Sequence, residues 1–310
     1  MENIQNAKMG QRSMDLISLI GNTPIIELKK VRPYNNCRLF VKLEYFNPTS
    51  SHKDRIALYM IRDAIERYGL KEGDIVAEAS SGNTAISVTF VAKRFNLKPL
   101  IVVPRNTSKN KILLLKLMGA EVIEGDEDPL SSNYYIKVAE KLAKERGGVF
   151  LNQYANPANA RAHYETTAVE IWNQLKGYID VFVMGVGTGG TITGVGKYLK
   201  ERKKDVIIVA VTPKGSKLAG GTGGDRIEGL LHKDIAPLLD KNIVDKIIEV
   251  SYPEAVDMCR RLVLEEGILG GISSGANVVG AMKISKEIKP GSNIVTLIVD
   301  SIFRYIDLIA

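Results

Sequence analysis

The chain has 310 residues, of which 45% are hydrophobic and 25% charged, a composition typical of a soluble globular protein. No apolar run approaches the length of a membrane-spanning helix, so we expect no membrane association. The three histidines are far apart and form no metal-binding pattern. The two cysteines do not make a disulfide framework, which favours a cytoplasmic location. The net charge is +7, but the basic residues are interspersed with acidic ones and no nucleic-acid-binding motif occurs. We therefore expect no nucleic-acid partner.

Strand and helix patterns alternate through most of the sequence. Hydrophobic periodicity predicts strands at 39–43, 74–79, 99–103, 121–124, 149–151, 181–184, 206–211 and 293–299. It predicts helices at 54–68, 84–95, 112–117, 133–146, 156–175, 191–202, 254–266 and 276–288. The glycine-rich segment 214–234 has no clear period, so it is predicted to be a long loop that borders a site.

Short apolar strands separated by helices need crossover connections. They therefore predict an α/β fold with largely parallel sheets that helices cover on both faces. Ligands of such sheets bind at the carboxyl ends of the strands. Three loops in such positions are rich in Gly, Ser, Thr or Asn, and one lysine lies at a comparable position.

That lysine is Lys53, which follows the 39–43 strand and a Pro/Ser turn and stands where the 54–68 helix begins. The positive end of a helix dipole disfavours an ammonium group, so a lysine there is more easily held neutral and nucleophilic. Neutral lysine amines form Schiff bases, and pyridoxal phosphate (PLP) is the cofactor that most often uses one. Most lysines are solvated surface residues, so the other parts of such a site must be found.

The loop Gly185-Val186-Gly187-Thr188-Gly189-Gly190-Thr191 lies between a predicted strand and a predicted helix. Its glycines let backbone N–H groups converge on an anion at a helix N-terminus, which predicts a phosphate site. The pattern also satisfies Gly-x-Gly-x-x-Gly, but the next strand ends without the acidic residue that a dinucleotide ribose requires. A phosphate monoester therefore fits better than NAD, and a turn needed only for packing is the remaining alternative.

The other two loops allow two interpretations each. Segment 80–84, Ser-Ser-Gly-Asn-Thr, has the donors to hold a carboxylate, or Ser81 or Asn83 simply caps the next helix. Segment 270–275, Gly-Gly-Ile-Ser-Ser-Gly, precedes the helix predicted from Ala276 and is either another cap or a cofactor contact. A serine hydroxyl beside a pyridine nitrogen leaves that nitrogen largely unprotonated, which favours β-elimination over transamination.

Together with Lys53, these loops resemble those of the fold-type II PLP enzymes, specifically the cysteine synthase and cystathionine β-synthase family. The resemblance spans nearly the whole chain, and further segments that carry it lie in family order at 20–24, 47–55, 153–159, 265–268 and 299–305. Two departures occur: Ala85 stands where glycine is usual, and Ile302 is bulky where a small residue is common.

The resemblance implies roles for individual residues. Lys53 would carry PLP and later move the substrate's α-proton, Asn83 would contact the cofactor's 3′-oxygen, and Ser273 would face the pyridine nitrogen. The residues that would hold the phosphate are Gly187, Thr188, Gly189, Gly190 and Thr191. The residues that would hold the substrate's α-carboxylate are Ser80, Ser81, Thr84 and Gln153.

The resemblance also implies the activity: PLP-dependent β-replacement on an activated serine, O-acetylserine or O-phosphoserine, with sulfide to give cysteine. The alternative is a cystathionine β-synthase that uses serine, or activated serine, and homocysteine. A serine/threonine dehydratase ranks lower, and a basic binding protein on an inactive copy of the fold ranks lowest. Lys217, Arg226 and His232 in the 214–233 loop would suit a phosphorylated donor, but a solvated surface explains them equally well.

Two domains are implied, each a largely parallel sheet flanked by helices, as in tryptophan synthase β-like proteins. The smaller α/β domain is expected at 46–155, with part of 1–23. The larger domain, expected to bind the PLP phosphate, comprises 24–45 and 156–310. A homodimer is expected from the resemblance.

Overall fold

Two sheets form the framework of the chain. The computed structural model describes residues 15–231 and 233–309. The strands are β1 (Ile25–Glu27), β2 (Arg38–Leu43), β3 (Ile75–Ala79), β4 (Lys98–Pro104), β5 (Glu121–Gly125), β6 (Val149–Phe150), β7 (Val181–Gly185), β8 (Ile207–Pro213), β9 (Lys246–Val250) and β10 (Asn293–Ile298).

The α-helices connect and cover these strands. They are α1 (Lys53–Tyr68), α2 (Asn83–Arg94), α3 (Lys109–Leu117), α4 (Tyr135–Glu145), α5 (Pro157–Ala162), α6 (Ala168–Gln174), α7 (Gly190–Arg202), α8 (Tyr252–Arg261), α9 (Ile272–Ile284) and α10 (Ile306–Ile309). None of the helices in the described residues is long and apolar enough to span a membrane.

The larger sheet has the strand order β1-β2-β10-β7-β8-β9. Strand β1 pairs antiparallel with β2, and the other neighbours are parallel. Val295 in β10 lies opposite Phe40 on one side and Phe182 on the other. The smaller sheet has the order β5-β4-β3-β6 and is parallel throughout. Parallel pairing places the carboxyl ends of neighbouring strands at one edge of each sheet.

The larger sheet is buried on both faces because successive side chains of a strand point in opposite directions. In β7, Val183 packs in the core that includes Val279 of α9, whereas Phe182 packs in the core that includes Leu199 of α7. A third core lies between α1, α2 and the smaller sheet. This coverage explains why the strands appear in the sequence as continuous apolar runs.

The predicted fold class is confirmed: both sheets are largely parallel and flanked by helices. Gly69, predicted to end the first long helix, is its C-cap with a φ of 66°. The boundaries of the two expected domains, 46–155 against 24–45 plus 156–310, stay a prediction.

Several elements differ from the sequence prediction. The helix predicted at 156–175 is divided by a π-helical turn, His163–Thr167, which interrupts the hydrogen-bond pattern without changing the hydrophobic period. Strands β1 and β9 were not predicted because the first has three residues and the second lies at a half-exposed sheet edge. The helix predicted from Ala276 begins at Ile272, since serine and glycine are tolerated in a first turn whose N–H groups lack intrahelical partners.

Candidate active site

Two adjoining cavities lie where the carboxyl ends of the strands meet. The inner cavity is lined by Lys53, Asn83, Ser273 and the β7–α7 loop. The outer cavity is lined by Lys53, the segment 80–84 and Gln153. The residues common to both cavities are Lys53, Asn83, Gly187, Thr188, Gly229, Leu230 and Tyr305. The fold therefore brings the three Gly/Ser-rich loops and the predicted lysine to one place.

Lys53 is the first residue of α1, as predicted, and its amine makes no hydrogen bond with any residue that the structure describes. Burial lowers the pKa of this amine to about 8, although the negative charges of Asp300 and Glu78 oppose the shift. An amine with this pKa is neutral in an appreciable fraction of molecules near neutral pH. Lys53 thus has the chemistry of a nucleophile and a general base.

The β7–α7 loop forms a cradle of backbone donors. Within the described chain, the N–H groups of Gly187, Thr188 and Gly189 donate no hydrogen bond. A Cβ atom at Gly187 would lie 2.3 Å from the Gly229 carbonyl oxygen, and one at Gly189 would lie 2.6 Å from the Leu239 nitrogen. Gly189 also has a φ of 85°. Only glycine lets the backbone turn here with its N–H groups free for an anion.

Two hydroxyls and a helix N-terminus complete the cradle. Thr188 Oγ1 accepts from Asn159 Nδ2 at 3.1 Å, so its own proton is free to donate. Thr191 Oγ1 lies 3.1 Å from His163 Nε2. The cradle precedes the thirteen-residue helix α7, whose dipole favours negative charge. Gly190 does not line either cavity. The side from which a Cβ would project faces Asn159 instead, and an added Cβ would lie 2.0 Å from Asn159 Oδ1.

The segment 80–84 forms a second anion-binding arrangement at the N-terminus of α2. Its N-cap is Gly82, with no side-chain cap, so the alternative in which Ser81 or Asn83 caps the helix does not hold. Of the described hydrogen bonds, none is donated by the N–H groups of Ser81, Asn83 or Thr84. These groups and the hydroxyls beside them are arranged to hold a carboxylate.

Gln153, in the turn that follows β6, closes this arrangement. Thr84 Oγ1 donates to Gln153 Oε1 at 2.7 Å, while Ser80 Oγ accepts from the Gly82 N–H at 3.2 Å. Behind the segment, fully buried Glu78 accepts from the N–H groups of Ala79 at 2.9 Å and Gln153 at 3.3 Å. Burial raises the pKa of Glu78 to about 8.

Asn83 joins the two sheets across the site. Its Nδ2 donates to Asp300 Oδ2 at 2.6 Å, and its Oδ1 accepts from Arg304. Asp300 Oδ2 also accepts from the Tyr305 hydroxyl at 2.6 Å. Burial raises the pKa of Asp300. Asn83 is thus fixed at the wall that both cavities share.

Ser273 lies in the first turn of α9, and its hydroxyl makes no hydrogen bond with a described residue. The N-cap of α9 is Gly271, which shows that Ser273 does not cap the helix. Its position in the inner cavity instead suits a contact with a ring nitrogen.

Several lining residues were missed by the sequence reasoning. Those of the inner wall are His52 and Asp300, and those of the outer cavity include Tyr135 and Glu228. Asp300 lies in the 299–305 segment that carries the resemblance, which is the signal that would have found it. His52 lies in the 47–55 segment, which also carries the resemblance, whereas Tyr135 and Glu228 lie outside every such segment.

The basic residues proposed for a phosphorylated donor lie elsewhere. Lys217 pairs with Asp234 and Arg226 with Glu127, both at 3.5 Å, and the two cations are 51% and 72% exposed. Neither lines the inner or the outer cavity. His232 lies outside the described residues.

Comparison with known proteins identifies the family. A family model described as pyridoxal-phosphate dependent enzyme matches residues 16–300. The chain belongs to this family. It is 41% identical over 304 residues to a cysteine synthase of Staphylococcus aureus, covering 96% of this chain and 97% of that protein. It is 40% identical over 303 residues to the cystathionine β-synthase of Apis mellifera, covering 94% of this chain.

The chain spans 60% of the length of the Apis mellifera protein. Among solved structures, a cysteine synthase from Entamoeba histolytica superposes with a TM-score of 0.88 at 34% identity, covering 96% of this chain and 91% of that one. The O-ureido-L-serine synthase structure also has a TM-score of 0.88, at 35% identity, and covers 94% of this chain and 92% of that one. The resemblance to the cysteine synthase and cystathionine β-synthase family is confirmed.

The pyridoxal-phosphate dependent enzymes need an amine for the cofactor's aldehyde, donors for its phosphate and a partner for its ring nitrogen. The inner cavity holds each of them: Lys53, the cradle with its free N–H groups, and Ser273. A side chain at Gly187 or Gly189 would collide with neighbouring backbone atoms. The residues present therefore fit PLP.

Proposed function

We propose that the chain catalyses β-replacement on an activated serine, O-acetylserine or O-phosphoserine, with sulfide to give cysteine. One observation carries this proposal: the Lys53 amine lines the inner cavity, which contains the phosphate cradle, and the outer cavity, which contains the carboxylate loop. An amino acid bound in the outer cavity meets the lysine and the cofactor at the junction.

Lys53 acts on the substrate's Cα–H. The serine and threonine hydroxyls of segment 80–84, with Gln153, hold the α-carboxylate and orient this bond towards the lysine nitrogen. When bound, PLP supplies the electron sink that makes the α-proton acidic. The neutral amine of Lys53 takes that proton and later returns it, a role typically worth about 10²–10⁴-fold in rate.

Ser273 sets the type of reaction. Its hydroxyl, unlike a carboxylate, does not hold a pyridine nitrogen in the protonated state. A weaker electron sink favours loss of the substrate's β-substituent over transamination. Sulfide then adds at the β-carbon, which completes the replacement.

The outer cavity favours an uncharged β-substituent. Of the described residues that line it, the charged ones are Lys53 and Glu228, and Glu228 already pairs with Lys111 at 2.8 Å. A phosphate ester would approach this carboxylate without a free cation to receive it. O-acetylserine is therefore the preferred donor.

A cystathionine β-synthase is the second candidate. Tyr135 and Tyr154 line the outer cavity, and their hydroxyls can hydrogen-bond a nucleophile longer than sulfide, such as homocysteine. A serine/threonine dehydratase, which adds no nucleophile, is the lower alternative. We further propose a cytoplasmic location, supported by the free, buried thiols of Cys37 and Cys259, and a homodimer, supported by the family resemblance.

The test measures turnover of O-acetylserine, O-phosphoserine and serine, each with sulfide, with homocysteine and with no thiol. We expect the highest kcat/KM for O-acetylserine with sulfide, and none in Lys53→Ala. Cystathionine as the main product would favour the second candidate. Pyruvate and ammonia released equally with and without a thiol would overturn the proposal in favour of the dehydratase.

A further inference from the structure

His52, the residue before Lys53, lines the inner cavity and is 5% exposed. Its Nδ1 lies 3.1 Å from the Val299 carbonyl oxygen. A carbonyl oxygen only accepts hydrogen bonds, so Nδ1 carries the proton. Burial and the nearby Lys53 charge hold the pKa of His52 well below its usual value. The ring is therefore neutral, and Nε2 presents a lone pair.

The lone pair of Nε2 reaches the inner cavity. Within the part of the chain that the structure describes, Nε2 has no hydrogen-bond partner. Among the described residues, three side-chain atoms are fully buried without a hydrogen-bond partner: Thr107 Oγ1, Asn159 Oδ1 and Asp300 Oδ1. His52 Nε2 is not one of them, so this unpartnered atom is not fully buried. The imidazole thus keeps one unpaired acceptor open to the cavity that it lines.

The ring lies at the phosphate end of this cavity. Its centroid is 5.8 Å from that of His163, and His163 Nε2 is 3.1 Å from Thr191 Oγ1 in the cradle. Both His52 and Thr191 line the inner cavity, so a phosphate held by the cradle shares this cavity with His52. Without an intervening proton, the lone pair of Nε2 and a phosphate oxygen would repel each other.

The inner cavity also lacks a permanent cation for the phosphate. None of its described lining residues is an arginine, and its one lysine, Lys53, is required for the cofactor's aldehyde. Asp300 adds a carboxylate to the same wall. A phosphate monoester has a second pKa near 6 and is mostly a dianion at neutral pH. One proton placed between Nε2 and a phosphate oxygen would remove the repulsion and half of the phosphate charge.

We propose that His52 is a phosphate ligand, and that the site takes up one proton from solvent when the phosphate binds. The proton is shared between Nε2 and a phosphate oxygen, and no other covalent bond forms or breaks. The proposal rests on the proposed function only in assigning the cradle to the cofactor's phosphate. Lys53 and Arg55 oppose protonation of His52, and the Val299 carbonyl favours it. His163 is neutral because burial lowers its pKa, and Asp300 lines the same cavity.

The experiment uses the full-length protein after removal of PLP, with inorganic phosphate as the probe because it lacks the aldehyde that reacts with Lys53. Titration calorimetry at pH 8 in two buffers of different ionisation enthalpy gives the number of protons taken up. Lys53, whose pKa is about 8, also takes up protons at this pH, so the contribution of His52 is the difference between the wild type and a His52 variant. We expect the wild type to take up close to one proton more than His52→Val. That variant should bind phosphate about tenfold to a hundredfold more weakly, because a hydrogen bond to a charged group is lost.

His52→Asn is the second variant, since its amide donates a hydrogen bond without taking up a proton. We expect it to recover part of the phosphate affinity with the same lower proton uptake as His52→Val. Bound PLP should then show a ³¹P resonance that responds to pH in the wild type and not in His52→Asn. Equal proton uptake in the wild type and in His52→Asn would overturn the proposal. Turnover of O-acetylserine, measured separately, decides the proposed function.

Discussion

Arg55 and Glu44 form a salt bridge that is buried almost completely, with Arg55 Nε 2.7 Å from Glu44 Oε2 and side chains 1% and 0% exposed. Arg55 lies one half-turn after Lys53 in α1 and also pairs with Glu170 at 2.6 Å. Because Glu44 follows β2 and Glu170 belongs to α6, this salt bridge joins α1 to elements of the larger sheet and its helices. It fixes the helix that begins with Lys53.

Replacement of Arg55 should destabilise the protein strongly. Arg55→Met leaves the Glu44 carboxylate buried without its main partner, and breaking a buried pair in this way costs about 3–5 kcal/mol in the free energy of unfolding. Denaturant titration measures this loss. The matched control is Arg38→Met, because Arg38 pairs with Glu27 at 2.7 Å but is 54% exposed. We expect a loss of about 1 kcal/mol or less for the control. Similar losses in both variants would contradict the prediction.

Glu78 should make stability dependent on pH. Burial raises its pKa from 4.5 to about 8, so the folded state prefers the protonated form. This preference stabilises the fold fully below pH 4.5 and is lost as the pH rises through 8. Glu78→Gln remains neutral, so its free energy of unfolding should rise relative to that of the wild type between pH 5 and 8, by up to about 1.4 kcal/mol per pH unit.

Chemical denaturation of both proteins at several pH values measures the difference. Glu145→Gln serves as the control, since Glu145 is 53% exposed and we expect no such trend. A difference between Glu78→Gln and the wild type that stays constant from pH 5 to 8 would show that the Glu78 pKa is ordinary.

Much of the fold and part of the candidate site could be predicted from the sequence. The parallel sheets follow from apolar strands that alternate with helices, and the cradle follows from glycines directly after β7. These features depend on local patterns of residues. The contact between Asn83 and Asp300 joins residues 217 positions apart, and no local pattern encodes it.

Two further features could not be predicted for physical reasons. The unpaired Nε2 of His52 depends on where the Val299 carbonyl lies, which only the packed structure reveals. The start of α9 at Ile272 depends on unpaired N–H groups that make serine and glycine acceptable in a first turn. By helix propensity alone, the same residues favour a loop.

Gly189 should be required for cofactor binding. Gly189→Ala adds a methyl group 2.6 Å from the Leu239 nitrogen at a φ of 85°, which must displace the cradle. We expect PLP affinity to fall by at least about tenfold, the equivalent of 1.4 kcal/mol, as measured by fluorescence titration of the protein after removal of PLP. Gly220→Ala is a matched control because Gly220 has a φ of 88° with no atom within 4 Å of the added Cβ. It carries the same backbone strain, about 1–2 kcal/mol, and should bind PLP normally. Equal losses of affinity would assign the effect to strain alone.

Glu228 should control the choice of donor. Glu228 lines the outer cavity and its carboxylate pairs with Lys111 at 2.8 Å, so it both repels an anionic β-substituent and occupies the Lys111 ammonium group. Glu228→Gln removes this negative charge and leaves Lys111 free. We expect the ratio of kcat/KM for O-phosphoserine to that for O-acetylserine to rise by about tenfold, since 1.4 kcal/mol of differential interaction gives that factor. Steady-state assays with both donors measure the ratio.

Glu127→Gln is the control: Glu127 pairs with Arg226 at 3.5 Å but does not line the outer cavity, so its loss should leave the ratio unchanged. An unchanged ratio in Glu228→Gln would mean that donor choice is set elsewhere in the cavity.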